Sequence, residues 1–314
     1  MTDIFLALLP TFAVILVGAG LKRAGLPGDR FWALLDRLTY MVLFPALLVT
    51  STARGNFPAA SALPMAAALT GGILLMAGLL VLARRLMPGD GPAFSSIFQG
   101  SLRYNTYVAF AATGALAGRE GLALAGLAVA AMVPLLNLLS VICVAACALP
   151  PDGEDAAPKP PLLRLVLTNP LIIACAIGIP LGVSGLGMPP VLGETLDILA
   201  AGSLPLALLA VGAGLNLRVG GSAGLGGAAG GMMIACTIKL FVMPLLALLI
   251  LWPFGVDDTT RLVTVLFAAC PTATSAYILA RQLGGDAPLA AAIITASTLA
   301  ALITMPLSLT LVLP

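Results

Sequence analysis

The chain has few charged residues and no histidine. Charged residues make up 9% of its 314 residues. Soluble proteins carry about 25%, so this chain cannot cover a water-facing surface. The absence of histidine removes the commonest proton shuttle and metal ligand. With a net charge of only +2, there is no field to attract nucleic acid. We therefore exclude a soluble or nucleic-acid-binding protein and expect no metal and no cofactor.

Motifs of common membrane ATPases and enzymes are also missing. The sequence has no G-x-x-x-x-G-K loop for ATP and no H-E-x-x-H pair. Its five cysteines lie inside apolar runs without metal-type spacing, and we interpret them as small packing residues. No acid occurs between Gly121 and Leu149, where a carboxylate-based cation antiporter would need one. These absences predict a protein that is neither an enzyme nor driven by ATP.

Long apolar runs dominate what is present. Hydrophobic residues make up 60% of the chain, and the mean hydropathy is +1.11. Runs of about 20 residues match the thickness of a bilayer, and backbone groups in lipid must be satisfied internally, as in a helix. The sequence predicts an all-α integral membrane protein that lies in a lipid bilayer. Its ten predicted transmembrane segments are 4–22, 31–53, 61–86, 94–117, 121–149, 163–184, 189–217, 228–252, 259–282 and 287–313.

A hydrophilic connector at 150–161 (PPDGEDAAPKPP) separates two halves, 1–149 and 162–314, of five segments each. Basic residues concentrate in and beside alternate loops. One side of the membrane holds Lys22, Arg23, Arg30, Arg37, Arg84, Arg85, Lys159, Arg164, Arg218 and Arg281. The other side holds only Arg54, Arg119 and Arg261. Because basic loops stay in the cytoplasm, we expect both termini to lie outside.

Five segments in each half place the second half in the membrane with the opposite orientation, so the two halves can form an inverted repeat. A shift of 160 residues superposes two sets of residues from segments 2 and 7: Pro45, Leu48, Ala53 and Asn56 on Pro205, Leu208, Ala213 and Asn216. A shift of 166 pairs Thr106 and Gly118 with Thr272 and Gly284. Inverted repeats are typical of secondary transporters, whose substrate sites lie where discontinuous helices meet.

Polar residues interrupt segments 4 and 9. Segment 4 contains the stretch 99–107 (QGSLRYNTY), with the candidate binding residues Arg103, Asn105, Thr106 and Tyr107. A buried arginine is costly in lipid and requires a polar cavity or an acid. Segment 9 contributes the candidates Pro271, Thr272, Thr274 and Ser275. If both helices break here, their half-helix N-termini favour a carboxylate.

Two further candidates are Lys239 in segment 8 and Asn137 in segment 5. The residues alone leave structural alternatives open for this whole set. Arg103 could form a structural ion pair or extend toward the cytoplasmic interface, and Pro271 could mark only a kink. Asn137 is equally consistent with a hydrogen bond between helices.

Several of these stretches resemble bacterial members of the auxin efflux carrier family. The resemblance rests on residues 43–48 (LFPALL), 99–107 (QGSLRYNTY), 130–141 (AAMVPLLNLLSV), 239–244 (KLFVMP) and 270–272 (CPT). It covers nearly the whole chain. It implies two inverted five-helix repeats in the fold that bile-acid symporters and sodium/proton antiporters share, with helices 4 and 9 broken and crossing. The plant crossover has a proline in both helices, whereas this chain has Asn105 at the position that matches Pro271.

The resemblance also implies a domain division and a mechanism. Segments 1, 2, 6 and 7 would form a scaffold, through which two copies would form a homodimer. Segments 3–5 and 8–10 would form a mobile domain with elevator-type alternating access. Relatives in bacteria are associated with malonate, malate and similar carboxylates, so the expected partner is a small carboxylate and the expected location is the bacterial inner membrane.

The leading hypothesis is a secondary transporter of small organic anions, which are mono- or dicarboxylates such as malonate or malate, or auxin-like weak acids. Without an obvious buried acid, membrane potential or a substrate gradient would drive it, and a proton route through Glu194 or Asp197 stays open. The alternative is a sodium-coupled symporter of the bile-acid type, with ligands from carbonyls, Asn137 and segment 10 hydroxyls. A channel, or a non-transporting membrane receptor or enzyme, is the third hypothesis.

Overall fold

A computed structural model of the chain describes residues 2–54, 59–147, 168–215 and 227–310. These residues contain no strand, and their one isolated β-bridge joins Tyr104 to Thr272. The all-α prediction is therefore confirmed for this part of the chain. The predicted connector at 150–161 and two residues of the predicted repeat, Asn56 and Asn216, lie outside the described residues.

The helices of the first half are α1 (Thr2–Arg23), α2 (Asp29–Leu38), α3 (Phe44–Ala53), α4 (Ala59–Leu82), α5 (Gly91–Leu102) and α6 (Thr106–Cys147). Those of the second half are α7 (Pro170–Ser184), α8 (Pro190–Ala213), α9 (Gly227–Thr237), α10 (Met243–Leu251), α11 (Asp258–Ala269), α12 (Ser275–Leu283) and α13 (Ala287–Leu309).

Seven helical stretches among the described residues are long and apolar enough to cross a membrane. They are Ile4–Arg23, Asp29–Ala53, Ser61–Leu86, Thr106–Cys147, Pro190–Ala213, Ala229–Phe254 and Ala287–Leu309. A shorter apolar helix covers Pro170–Ser184. The predicted segments 4 and 9 do not appear as single long helices, because each is interrupted near its middle. The chain is thus a multi-span helical membrane protein, and the ten-helix inverted repeat stays a prediction.

Gly118 divides the 42-residue helix α6 into two parts. Its φ of 57° and ψ of −143° are not helical, and glycine adopts such a positive φ without steric cost. A Cβ on Gly121 would lie 2.9 Å from Cγ2 of Thr113, although residues eight apart are separated by about 12 Å along a straight helix. The two parts of α6 therefore fold back on each other, as expected for separate segments 4 and 5.

Two proline-associated π-turns shape segments 2 and 8. One covers Thr39–Leu43 and precedes Pro45, and the other covers Ile238–Val242 and precedes Pro244. Proline has no N–H to donate to the preceding turn, and a wider π-turn adjusts the helix around that missing bond.

Close packing of glycines holds α1 against α8. A Cβ on Gly18 would overlap the carbonyl oxygen of Leu209, and a Cβ on Gly212 would overlap that of Ile15. Small residues allow this backbone approach, which replaces the hydrophobic effect as a source of helix association in lipid.

We expect Gly18→Ala to destabilise the protein by about 1–3 kcal/mol, because the added methyl group meets backbone that cannot rotate away. Gly20, on the same helix, has nothing within 4 Å of its Cβ position. The matched variant Gly20→Ala should leave the stability unchanged or raise it by up to about 1 kcal/mol. Thermal unfolding in one detergent measures both. Equal melting temperatures for the two variants would contradict the close packing of α1 and α8.

Candidate functional site

The chain leaves helical geometry at two places that lie beside each other. Helix α5 ends at Leu102, Arg103 is extended, and α6 begins at Thr106. Helix α11 ends at Ala269, and α12 begins at Ser275. The two interruptions are joined by the bridge between Tyr104 and Thr272. The N–H of Asn105 also donates to the carbonyl oxygen of Pro271 at 2.9 Å. We call residues 103–105 and 270–274 the crossing.

Side chains satisfy further backbone groups at the crossing. Oδ1 of Asn105 accepts a hydrogen bond from the N–H of Val108 at 3.2 Å, which caps the start of α6. The hydroxyl of Thr272 donates to the carbonyl oxygen of Gly100 at 2.7 Å, near the end of α5. The N–H of Thr272 donates to Oγ of Ser297 at 3.2 Å. The interrupted helices are therefore a bonded arrangement, in which the residues of one break complete the other.

Arg103 projects from the crossing and is only 9% exposed. Its Nη2 donates to Oδ1 of Asn137 at 3.2 Å and to Oγ of Ser275 at 2.9 Å. Its Nε and Nη1 are buried without a hydrogen-bond partner. No ion pair among the described residues involves Arg103. Because a buried guanidinium needs its N–H groups satisfied, this side chain can bind an additional acceptor.

A cavity of about 480 Å³ lies beside this guanidinium. Apolar side chains form much of its wall, including those of Met132, Leu136 and Phe267. Of the predicted site residues, seven line the cavity: Arg103, Asn105, Thr106, Tyr107, Asn137, Thr274 and Ser275. The structure thus brings together residues from segments 4, 5 and 9.

Three predicted site residues lie away from the cavity wall. Pro271 and Thr272 take part in the backbone contacts of the crossing. Lys239 is fully buried, and its Nζ donates to the carbonyl oxygen of Ala268 at 3.2 Å. The same Nζ lies 3.3 Å from the centre of the Tyr104 ring. An ammonium is favourable at the carbonyl end of a helix and over an aromatic face. Lys239 therefore stabilises the crossing through these two contacts and does not line the cavity.

Sequence reasoning missed the contribution of segment 2. Asp36, Arg37 and Tyr40 line the cavity, and Gln282 joins them from the end of α12. Arg37 and Gln282 are exposed, and the positive-inside prediction assigns this end to the cytoplasm. Asp36 and Tyr40 are four residues apart, a spacing that places helical side chains on one face. That spacing could have indicated a polar face of segment 2 at the site. The charges of segment 2 were used only to predict the orientation of the chain in the membrane.

Small residues allow three helices to pack closely near the opposite end of segment 2. A Cβ on Gly178 of α7 would overlap Oγ1 of Thr52, and a Cβ on Gly126 of α6 would overlap Cγ2 of the same Thr52. Sγ of Cys175 lies 3.5 Å from the carbonyl oxygen of Gly126. Helices α3, α6 and α7 therefore meet at van der Waals distance here, whereas the Arg37 end of the cavity is open.

The two acids that the sequence offered as a proton route are not at the cavity. Asp197 forms a two-fold ion pair with Arg54, with N–O distances of 2.7 and 2.8 Å. Glu194 lies one turn earlier on α8 and is also exposed. Within the described ranges, no cluster of three or more metal-binding side chains occurs.

The start of α6 and the start of α12 both border the cavity through Thr106 and Ser275. Helix N-termini carry partial positive charge and free N–H groups. Together with the unpartnered N–H groups of Arg103, they make this end of the cavity suited to an anion. A multi-span helical protein with a cavity that holds a buried arginine at interrupted helices has the features of a membrane transport protein.

Comparisons with known proteins support this class. Residues 159–309, almost half of the chain, match a family described as "Membrane transport protein". The chain is also similar to an "Uncharacterized transporter" of Methanothermobacter thermautotrophicus, with 24% identity over 301 residues, which cover 95% of each chain. These similarities indicate a membrane transporter. They agree with the resemblance to a transport family and leave its bacterial branch as a prediction.

We expect Thr272→Val to destabilise the protein by about 1 kcal/mol, because it removes the hydrogen bond to the Gly100 carbonyl oxygen while keeping the side-chain shape. Thr274 is half-buried at the cavity, and its hydroxyl makes no hydrogen bond to the described residues. Thermal unfolding of Thr272→Val and Thr274→Val without ligand tests this difference. A Thr272→Val variant as stable as wild type would contradict the bonded crossing.

Proposed function

We propose that this protein is a secondary transporter of small organic anions, with carboxylates as the substrate class. The observation that carries the proposal is the buried guanidinium of Arg103, whose Nε and Nη1 lack partners beside the cavity. A carboxylate that accepts from Nε or from Nη1 lies beside Nη2 as well, which is the two-point geometry that arginine favours. Malonate and malate are small enough for the 480 Å³ cavity, and auxin-like weak acids suit its apolar wall.

The packing of the helices supports an elevator-type mechanism in a ten-helix inverted repeat. Helices α1, α2, α3, α7 and α8 pack on one another, which corresponds to the proposed scaffold. Helices α4, α5 and α9–α13 form a second group of mutually packed helices, of which α4, α5, α11 and α12 contact α6, and they correspond to the proposed mobile domain. The cavity lies between the two groups, since segment 2 forms one wall and the crossing forms the other.

The proposed cycle moves the crossing and its anion past segment 2. The cavity opens beside Arg37, at the end that the basic residues assign to the cytoplasm, and helices α3, α6 and α7 pack closely at Thr52. The described conformation therefore corresponds to the cytoplasm-facing state. We further propose that the protein resides in the bacterial inner membrane with both termini outside, and that two copies associate through their scaffolds.

Proteoliposome uptake of labelled malonate or malate tests the anion site. Arg103→Ala should reduce uptake at least about tenfold, since a hydrogen bond to a charged group contributes about 1.5–3 kcal/mol. A thermal-shift screen against small carboxylates should show stabilisation of wild type, because a ligand stabilises the state it binds, and none for Arg103→Ala.

The matched control is Arg119→Ala, which removes an exposed arginine outside the cavity and should leave uptake unchanged. Equal uptake by Arg103→Ala and wild type would refute the role of Arg103. Replacing sodium by choline should leave uptake unchanged as well. The ammonium of Lys239 already binds the carbonyl end of α11, where a sodium ion would otherwise find carbonyl ligands. Loss of uptake in choline would favour the sodium-coupled alternative.

A further inference from the structure

The cavity contains a carboxylate that the proposed anion site does not use. Asp36 lines the same cavity as Arg103 and is partly buried. Its carboxylate has no hydrogen-bond or ion-pair partner among the described residues. The neighbouring Arg37 does not neutralise it, because adjacent residues on a helix do not face each other. An acid in this position needs a reason beyond stability.

The other ionisable groups around the cavity come from two sides. Segment 2 itself contributes Arg37 and Tyr40, and the crossing with the start of α6 contributes Arg103, Tyr104 and Tyr107. Helix α8, which packs on α2, contributes apolar side chains there: Leu206, Leu209, Ala210 and Ala213. The described wall from α7 and α12 contributes Leu171, Ile278 and Gln282, which do not ionise.

Asp36 therefore opposes the anion that Arg103 attracts. The Asp36 carboxylate is near enough to act electrostatically on Tyr40 and Tyr107, and Tyr40 is in turn near enough to feel Arg103. An ionised Asp36 repels an anion in the cavity that it shares with Arg103, while Arg37 at the exposed end is screened by solvent. Once protonated, Asp36 loses its repulsion and becomes an O–H donor that can bond a substrate carboxylate.

We propose that Asp36 couples anion binding to a proton, so that one proton enters the cavity with each substrate anion and leaves with it. This inference rests on the proposed anion-transport function and names its driving ion. Because binding free energies are linked reciprocally, an anion that favours protonated Asp36 must bind more tightly as the pH falls. Uptake then follows the proton gradient as well as the substrate gradient.

L-Malate binding to the purified full chain tests the coupling, followed by thermal shift between about pH 6.5 and pH 8.5, where malate is fully ionised. In wild type the apparent Kd should rise toward about tenfold per pH unit at the alkaline end. Asp36→Asn should bind malate with a Kd that changes less than about twofold over this range. The control is Asp29→Asn. Asp29 is an exposed acid on the same helix as Asp36 and pairs with Lys22 of α1, and this variant should follow wild type.

Proton uptake provides a second measurement that does not depend on affinity. Mixing malate with the protein in weakly buffered solution should bind about one proton per malate in wild type and none in Asp36→Asn. Asp36→Glu should retain proton uptake, which separates the loss of the acid from damage to the fold. Melting temperatures without ligand show that each variant is folded.

Three outcomes overturn the coupling. A pH-independent Kd in wild type, or an unchanged pH slope in Asp36→Asn, refutes it while leaving the anion site intact. Tighter binding of L-aspartate than of L-malate that depends on Asp36 also refutes it, because an ionised Asp36 would then anchor the ammonium group. If malate does not bind, or binds equally well to Arg103→Ala, the proposed function itself is refuted and the coupling with it.

Discussion

The structure depends on one constraint, which is that backbone N–H and C=O groups cannot remain unpaired in lipid. Two helices are nevertheless interrupted near their middle. They remain compatible with a membrane because each break supplies the partners of the other: Asn105 donates to Pro271, and Thr272 pairs with Tyr104 and binds Gly100. Lys239 satisfies one of the last carbonyls of α11 from behind. The crossing therefore keeps several of its backbone groups bonded, while other backbone groups and side chains face a cavity.

The binding chemistry follows from that crossing. The interruption lets the starts of α6 and α12 border the cavity, and it lets Arg103 adopt an extended backbone that directs the guanidinium to Asn137 and Ser275. Two guanidinium nitrogens, Nε and Nη1, have no protein partner. Segment 2 forms the facing wall, so that movement of the crossing relative to segment 2 would change the side from which the anion is reached. In the proposed coupling, the charge of Asp36 on that wall opposes the anion, and its protonation accompanies anion binding.

The sequence predicted a multi-span helical membrane protein and the polar residues of segments 4, 5 and 9 that line the cavity, because lipid imposes strict rules on apolar length and makes any intramembrane arginine conspicuous. It could not show that Lys239 and Thr272 lie away from the cavity wall. Both donate to carbonyl oxygens, those of Ala268 and Gly100, which are available only because the helices are interrupted. It also missed Asp36. That acid lies near the end of a predicted segment, where a charge usually means an interface, and only folding brings it to the same cavity as Arg103, 67 positions later in the chain. The close approach of Asn105 to Pro271 was suggested by the repeat and not by either residue alone.

The most direct measurement is an experimental structure of the protein in a lipid nanodisc with malate bound. We expect ligand density in the cavity between segment 2 and the crossing, with a carboxylate within hydrogen-bond distance of Nε or Nη1 of Arg103. Continuous helices through residues 103–105 and 270–274 would contradict the account. So would malate bound elsewhere while Arg103 is paired with a protein acid.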